Sequence, residues 1–368
     1  MEHKKLGDIA TYVNGYAFKP EDRGTKGLPI IRIQDLTGNS YDLGFYNGEY
    51  PKKIELNNGD ILISWSASLG VYEWNRGKAL LNQHIFKAVF DKLDVNKKYF
   101  VFAVKYNLKE MEKRTHGATM KHITKKDFDN VLVPFPPLNK QQEIAATLDK
   151  LQSIITHRRT QLEKLDLLVK ARFVEMFGDP NDTSRDKEKR HKIGELCDVT
   201  KLAGFEFTEY INYQDSGEII MLRGLNCKQG KLILDNVKYI DRETSHKLPR
   251  SRLYIGDILM TYAGTIGDVA MVDENDKYHL APNVAKISII NKKKLSPVFL
   301  VHLFMYSHDY IMSFVSQVAQ ASINMQKIRN FEYAIPSIEE QYEFEKFVQQ
   351  VDKSRFITLK ENKESEIL

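Results

Sequence analysis

Amide, imidazole and cationic side chains recur at two matching places in this 368-residue chain, and their chemistry is that of a hydrogen-bonding surface. Asn82-Gln83-His84 follows an apolar pair, and Ala281-Pro282-Asn283 stands at the corresponding point of the second half. An Asn or Gln side chain pairs bidentately with adenine and Arg with guanine, while Lys or Arg neutralises a phosphate. Gln83, His84, Asn283 and Gln326 are therefore candidates to meet base edges. Lys121, Lys125, Lys126, Lys327 and Arg329 are candidates to meet phosphates, because residues 116–126 and 322–329 each read as the opening of a short helix. There, backbone N–H groups face outward and flanking lysines add charge. The competing reading is local: Asn, Gln and His near strand ends commonly satisfy backbone groups in turns. Trp65 with Tyr262, and Phe18 with Phe207, read as core aromatics, and Gly59 with Gly256 as turn residues.

These groups sit within a long duplication. Lys5-Leu6-Gly7-Asp8-Ile9 and Gly15-Tyr16-Ala17-Phe18 are echoed by Lys192-Ile193-Gly194-Glu195-Leu196 and Gly204-Phe205-Glu206-Phe207. Gly59-Asp60-Ile61-Leu62-Ile63-Ser64-Trp65 matches Gly256-Asp257-Ile258-Leu259-Met260-Thr261-Tyr262 without a gap, and Pro136-Pro137-Leu138-Asn139-Lys140-Gln141 is echoed by Pro336-Ser337-Ile338-Glu339-Glu340-Gln341. The order is the same in both halves. A unit this long is a domain with its following helix, not a short solenoid repeat.

Composition leaves room for such a pair. The length accommodates two cores with connecting structure, and a net charge of +5 permits an anionic partner. Two cysteines, Cys197 and Cys227, make neither a disulfide framework nor a metal cage, so a reducing interior is expected. With no long apolar run, the expectation is a cytoplasmic protein without membrane contact.

Catalytic signatures are missing. None of the 20 glycines forms Gly-x-Gly, so dinucleotide and S-adenosylmethionine loops of that type are absent. Pro134-Phe135-Pro136-Pro137-Leu138 does not supply the Asp/Asn-Pro-Pro-aromatic stretch of an amino-methyltransferase. The Glu-x-Lys triplets of a Mg²⁺ nuclease occur only as Glu2-His3-Lys4 and Glu361-Asn362-Lys363, at the chain's ends. No His/Cys cluster has zinc spacing. The chain is expected to hold no metal or cofactor and to do no covalent chemistry by itself.

The elements follow from periodicity. Apolar runs at Leu28–Ile33, Asp60–Trp65 and 84–90 predict buried strands, and Tyr99–Lys113 changes to helical spacing. From Asn139, Leu148, Leu151, Ile155, Leu162, Leu165 and Val169 follow alternating steps of three and four, uninterrupted until Gly178-Asp179-Pro180. Such a helix spans about 60 Å and needs a partner. The C-terminal stretch supplies one, with Phe344, Phe347, Val351 and Leu359 on one side. The expected fold class is α+β: two similar globular domains, 1–136 and 191–335, with long helices at 137–178 and 336–368 that run antiparallel as a coiled coil. A polar linker covers 179–190.

Lys-Leu-Gly-Asp-Ile, Gly-Tyr-Ala-Phe-Lys, Gly-Asp-Ile-Leu-Ile-Ser, Ala118-Thr119-Met120-Lys121-His122-Ile123, Pro-Pro-Leu-x-x-Gln-Gln before the long helix, and Phe177-Gly178-Asp179-Pro180 at its end together resemble the specificity subunits of type I restriction–modification systems. The resemblance covers essentially the whole chain. It implies two target recognition domains, each reading one half of a split, asymmetric sequence in double-stranded DNA. It also implies a coiled coil that sets the spacer and docks two methyltransferase subunits, which bind S-adenosylmethionine. Restriction subunits with ATP-driven translocation complete such complexes, and ATP and Mg²⁺ chemistry belongs to the partners. The shorter distal helix departs from the pattern, as does the difference between Asn82-Gln83-His84 and Ala281-Pro282-Asn283. Two other readings stay open on residues alone: a scaffold whose repeated domains bind protein, and a methyltransferase or nuclease with an unfamiliar site. DNA retention that falls steeply with salt separates the first from a DNA reader; binding of S-adenosylmethionine or Mg²⁺ by the chain alone would reveal the second.

Overall fold

In each half of the chain the Gly-Asp-Ile-Leu motif becomes a strand buried on both faces. A computed structural model describes residues 2–39, 42–113, 122–184, 189–316 and 321–367, with side chains described through residue 358. Strand Asp60–Ser64 sends Ile61 and Ile63 into one core and Leu62 into another. Strand Ile258–Thr261 divides Ile258 and Met260 from Leu259 in the same way. Side chains alternate across a strand, so a continuous apolar run serves two layers. Gly59 and Gly256 take φ of 85° and 89°, giving the tight turns before these strands.

The chain divides into two units, Met1–His157 and Arg158–Leu368. In the first, a four-stranded antiparallel sheet runs in the order Thr11–Asn14, Ile85–Val89, Asp60–Ser64, Gly70–Trp74. A second runs Phe45–Tyr46, Leu28–Ile31, Ala79–Leu81, Glu55–Leu56, with only the middle pair parallel. Helix Lys97–Lys113 packs on strand Gly70–Trp74. The predicted strand from Leu28 stops at Ile31, two residues early, because the Asp35 carboxylate accepts from the Arg32 backbone N–H (2.8 Å) and starts a short helix at Ile33.

The second unit repeats this plan. Its four-stranded sheet runs Cys197–Lys201, Val284–Ile289, Ile258–Thr261, Val269–Met271, and a three-stranded sheet runs Lys238–Ile240, Ile219–Leu222, Tyr278–Leu280. Both domains close on themselves: His3–Lys5 pairs antiparallel with Leu132–Pro134, and Arg190–Lys192 with Glu332–Ala334. Gly7 and Gly194 hold equivalent places against a short helix. A Cβ on either would lie 2.9 Å from the Cβ of Asp129 or Arg329 respectively.

The two long helices span Leu138–Phe177 and Ile338–Ile367. Each is anchored at its start by a glutamine with no exposed surface. Gln141 Oε1 accepts from Asn96 N–H (3.0 Å) and its Nε2 donates to the Pro136 carbonyl (2.9 Å). Gln341 does the same with Ser296 N–H (2.8 Å) and Pro336 (2.9 Å), and adds Lys294 (3.1 Å). Replacing Gln141 by leucine strands a buried N–H and a buried carbonyl, with an expected loss of about 2–4 kcal/mol; chemical denaturation of the variant measures it, and an effect near zero would show that the bonds contribute nothing.

Within the second unit the helices are antiparallel partners. Arg172 pairs with Glu343 (2.9 Å) and Asp166 with Arg355 (2.6 Å), so one numbering falls as the other rises. Of the predicted seam, Leu165, Val169, Phe344, Phe347 and Val351 pack in one core. Leu162 is half-buried there, as are Leu148, Leu151 and Ile155 in the first unit; the Leu359 side chain lies outside the described residues. The seam is more than a rod: Phe173, absent from the heptad expectation, is fully buried and stacks on Phe299 of the domain (5.6 Å, 20°) while meeting Phe344 edge-on (5.3 Å). The polar stretch after the helix is also anchored, since Asn181 donates to Tyr306 O (2.9 Å) and accepts from Tyr310 N–H (3.1 Å).

Candidate nucleic-acid interface

A single aromatic residue organises the candidate surface in each domain. In the first unit, Trp65 directly follows the buried strand. Its N–H donates to His84 O (3.1 Å), and its carbonyl accepts from Ile123 N–H (3.0 Å). These two bonds join the turn bearing Gln83 and His84 to the segment that leads into helix Lys125–Asp129. In the second unit Tyr262 does the same, donating to Asn283 O (3.0 Å) and accepting from Ile323 N–H (2.9 Å). That joins the Asn283 turn to helix Met325–Arg329, which carries Gln326. Trp65 also stacks on Phe86 (5.6 Å, 23°) and lies 5.0 Å from the His84 ring.

The turns are alike in backbone. His84 and Asn283 take φ of 73° and 68°, a left-handed conformation costly for most side chains but readily adopted by Asn and tolerated by His. Gln83 is held through its backbone, which donates to Tyr16 O (2.9 Å) and Asn82 Oδ1 (2.7 Å); its side chain is half-buried. Gly15 is required beside it, because a Cβ there would sit 1.9 Å from Asn82 O. His84 is half-buried, and Asn283 is exposed. Gln326 is exposed, with a 3.4 Å contact to Asn330 Oδ1.

The candidate phosphate contacts divide. Lys121 lies outside the described residues. Lys125 is exposed and pairs with Asp129 (2.8 Å), and Lys126 is exposed. Lys327 is engaged inside its domain, donating to Phe314 O and Ser316 Oγ at 2.7 Å each. Arg329 donates to Val199 O. The helix starts are capped by their own chain: Thr124 Oγ1 accepts from Asp127 N–H (3.1 Å), and Asn324 Oδ1 from Lys327 N–H (2.9 Å). Among the four described residues, Lys126 is the best-disposed for a phosphate.

Three features of this face escaped the sequence reading. Tyr16 and Phe205, at equivalent places, are 42% and 68% exposed, whereas their neighbours Phe18 and Phe207 pack against cores. Asn14 and Lys201 end equivalent edge strands beside Trp65 and Tyr262. Ala67, at the hairpin tip, takes φ of 58° where the second domain has Gly264 at 82°. The duplication itself was the available signal for these positions; their exposure was not readable from it.

Elsewhere the polar groups serve architecture. Lys286 donates to the carbonyls of Arg250 (2.7 Å) and Arg252 (3.1 Å), and burial pulls its pKa down against the nearby Asp257. Both thiols are buried, and burial pushes each up to about 12, so neither is a ready nucleophile. Among the described residues no group of His, Cys, Asp and Glu could hold a metal ion, and no helix is long and apolar enough to cross a membrane.

Comparison with known proteins agrees with this geometry. The chain is 28% identical over 376 residues to the type I restriction enzyme EcoBI specificity subunit of Escherichia coli, covering 94% of this chain and 78% of that one. It is 25% identical to the MjaVIII specificity subunit of Methanocaldococcus jannaschii, covering 86% and 77%. Its fold is similar to the S subunit of a type I restriction–modification system from M. genitalium, with a TM-score of 0.56 at 14% identity over 100% of this chain and 93% of that one. A chain solved in work on complex assembly and conformational transition of the type I system gives 0.57 at 14% identity, over 99% and 94%. The family model for the type I restriction modification DNA specificity domain matches residues 1–165 and again 186–368. With two copies covering nearly its whole length, the chain belongs to that family of DNA specificity subunits.

Proposed function

We propose that each domain reads one half of a split, asymmetric DNA target through the face built around Trp65 or Tyr262. The helices dock two methyltransferase subunits and, through the assembled complex, restriction subunits. S-adenosylmethionine, ATP and Mg²⁺ act in those partners, in the cytoplasm of a prokaryote. Gln83, His84, Asn283 and Gln326 meet bases, and Lys126, with Lys125 and Lys121, meets phosphate. Lys327 and Arg329 act mainly by fixing the helix that carries Gln326.

One observation carries this reading. The same hydrogen-bonded frame occurs twice, and it carries different residues at its exposed and half-buried positions: Gln83-His84 against Pro282-Asn283, and Asn14 against Lys201. A constant frame with changed lettering is what two different half-sites require. The test is a salt titration of duplex binding by the assembled complex. Log affinity should fall linearly with log salt, and Lys126→Ala should lessen the slope by about 1. Binding indifferent to salt would overturn the reading.

A further inference from the structure

Asn14 offers the strongest unassigned chemistry on this face. Its Oδ1 accepts from the Trp65 indole Nε1–H at 3.1 Å. Indole nitrogen only donates, so the oxygen of the amide must face it, and the orientation of the Asn14 side chain is settled by chemistry. The Nδ2, with two N–H donors, is then turned away on an exposed residue and has no hydrogen-bond partner among the described residues. Trp65 cannot drift, since its backbone is tied to both His84 and Ile123 and its ring is stacked on Phe86.

The second domain puts a different side chain with the same capability at the same point. Asn14 lies opposite Phe86, which lies opposite Ile63. Lys201 lies opposite Ala285, which lies opposite Met260. Ile63 and Met260 are the same position of the duplicated strand. The Lys201 ammonium sits 5.5 Å from the centre of the Tyr262 ring, so it too is held against the aromatic that organises its domain. An ammonium has donors and no acceptor. Asn14 pinned by Trp65 likewise turns its two N–H donors outward, while its oxygen is drawn toward the indole. Two chemically unlike residues thus present one hydrogen-bonding sign.

We infer that Asn14 and Lys201 are specificity-determining residues, each donating to an acceptor on a base edge, foremost guanine O6/N7 or thymine O4 and otherwise adenine N7, and each disfavouring cytosine, whose major-groove edge offers only an amino group. The inference rests on the reading above that this face meets DNA. It adds a residue to each half-site and gives the sign of the base atom that residue selects.

The assembled complex, with its modification subunits, is offered duplexes randomised in the half read by the first domain, and the retained or methylated sequences are counted. Asn14→Asp keeps the bond from Trp65 but turns an acceptor outward. One position should switch towards cytosine, whose edge offers only an amino group, by roughly 5- to 150-fold. Asn14→Lys, carrying the second domain's own residue, should keep the original letter, which guards against a variant that merely fails to fold. Trp65→Phe frees the amide to turn, so the same position should relax instead of switching. If Asn14→Asp selects the wild-type letters while Gln83→Ala or His84→Ala changes them, this inference fails and the reading beneath it stands. If none of the three alters selection, both fail.

Discussion

Replacing Phe173 by alanine is expected to cost the second unit about 3–5 kcal/mol, the range for a large aromatic lost from a packed core. Against domain stabilities of about 5–15 kcal/mol, that is a large fraction. Phe173 has no exposed surface and meets four rings: Phe299, Phe177 (5.1 Å), Tyr306 (5.2 Å) and Phe344. It is contributed by the central helix, while Phe299 and Tyr306 belong to the domain and Phe344 to the distal helix. One deletion therefore loosens three elements. Denaturant titration followed by tyrosine and tryptophan signals separates the units, because both tryptophans, Trp65 and Trp74, lie in the first. The second unit, which has no tryptophan and ten of the 18 tyrosines, should unfold at lower denaturant as a tyrosine transition that the tryptophan signal does not share. A loss under about 1 kcal/mol would mean that the helix pair is seated on the domain far more loosely than this packing implies.

Exchange of residues 1–136 for the corresponding domain of another specificity subunit should change one half of the methylated target completely and leave the other untouched. The basis is closure: the domain's first strand, His3–Lys5, pairs with its last, Leu132–Pro134, immediately before the central helix. A segment whose ends meet can be replaced without re-routing the chain. Asn96 with Gln141, and Lys98 with Asp149 (2.7 Å), are polar clasps between domain and helix that the incoming sequence must reproduce. Methylation mapping in cells reads the outcome directly. A change in both halves, from an exchange that still assembles, would contradict division of the target between domains.

Much of the fold was legible because its signals are local. Ile61-Leu62-Ile63 announces a strand buried on both faces, and the uninterrupted spacing from Leu148 to Val169 announces the helix. Ile33 was misread as strand because its apolar side chain continues the run, while the Asp35 bond that turns the backbone lies outside any periodicity. The candidate interface was legible only in part. His84 and Asn283 stood out by type and do share a turn geometry. Lys327 and Arg329 looked like phosphate contacts because cations at a helix start usually are solvent-facing. Their partners, Phe314 O and Val199 O, are 13 and 130 residues away. Asn14 was invisible for the same reason: the indole that orients it is 51 positions further along.

On the proposed reading that His84 and Asn283 meet bases, their left-handed backbone sets a limit on how such a protein can acquire new targets. Few side chains occupy that conformation cheaply: glycine, asparagine, aspartate and, less readily, histidine. Evolution therefore draws on a short alphabet at this position, whereas Gln83 and Pro282 alongside face no such filter, their φ being negative. Diversification by point mutation would accumulate at the neighbour, and β-branched replacements at the turn itself would be purged as misfolded before their base preference was ever expressed.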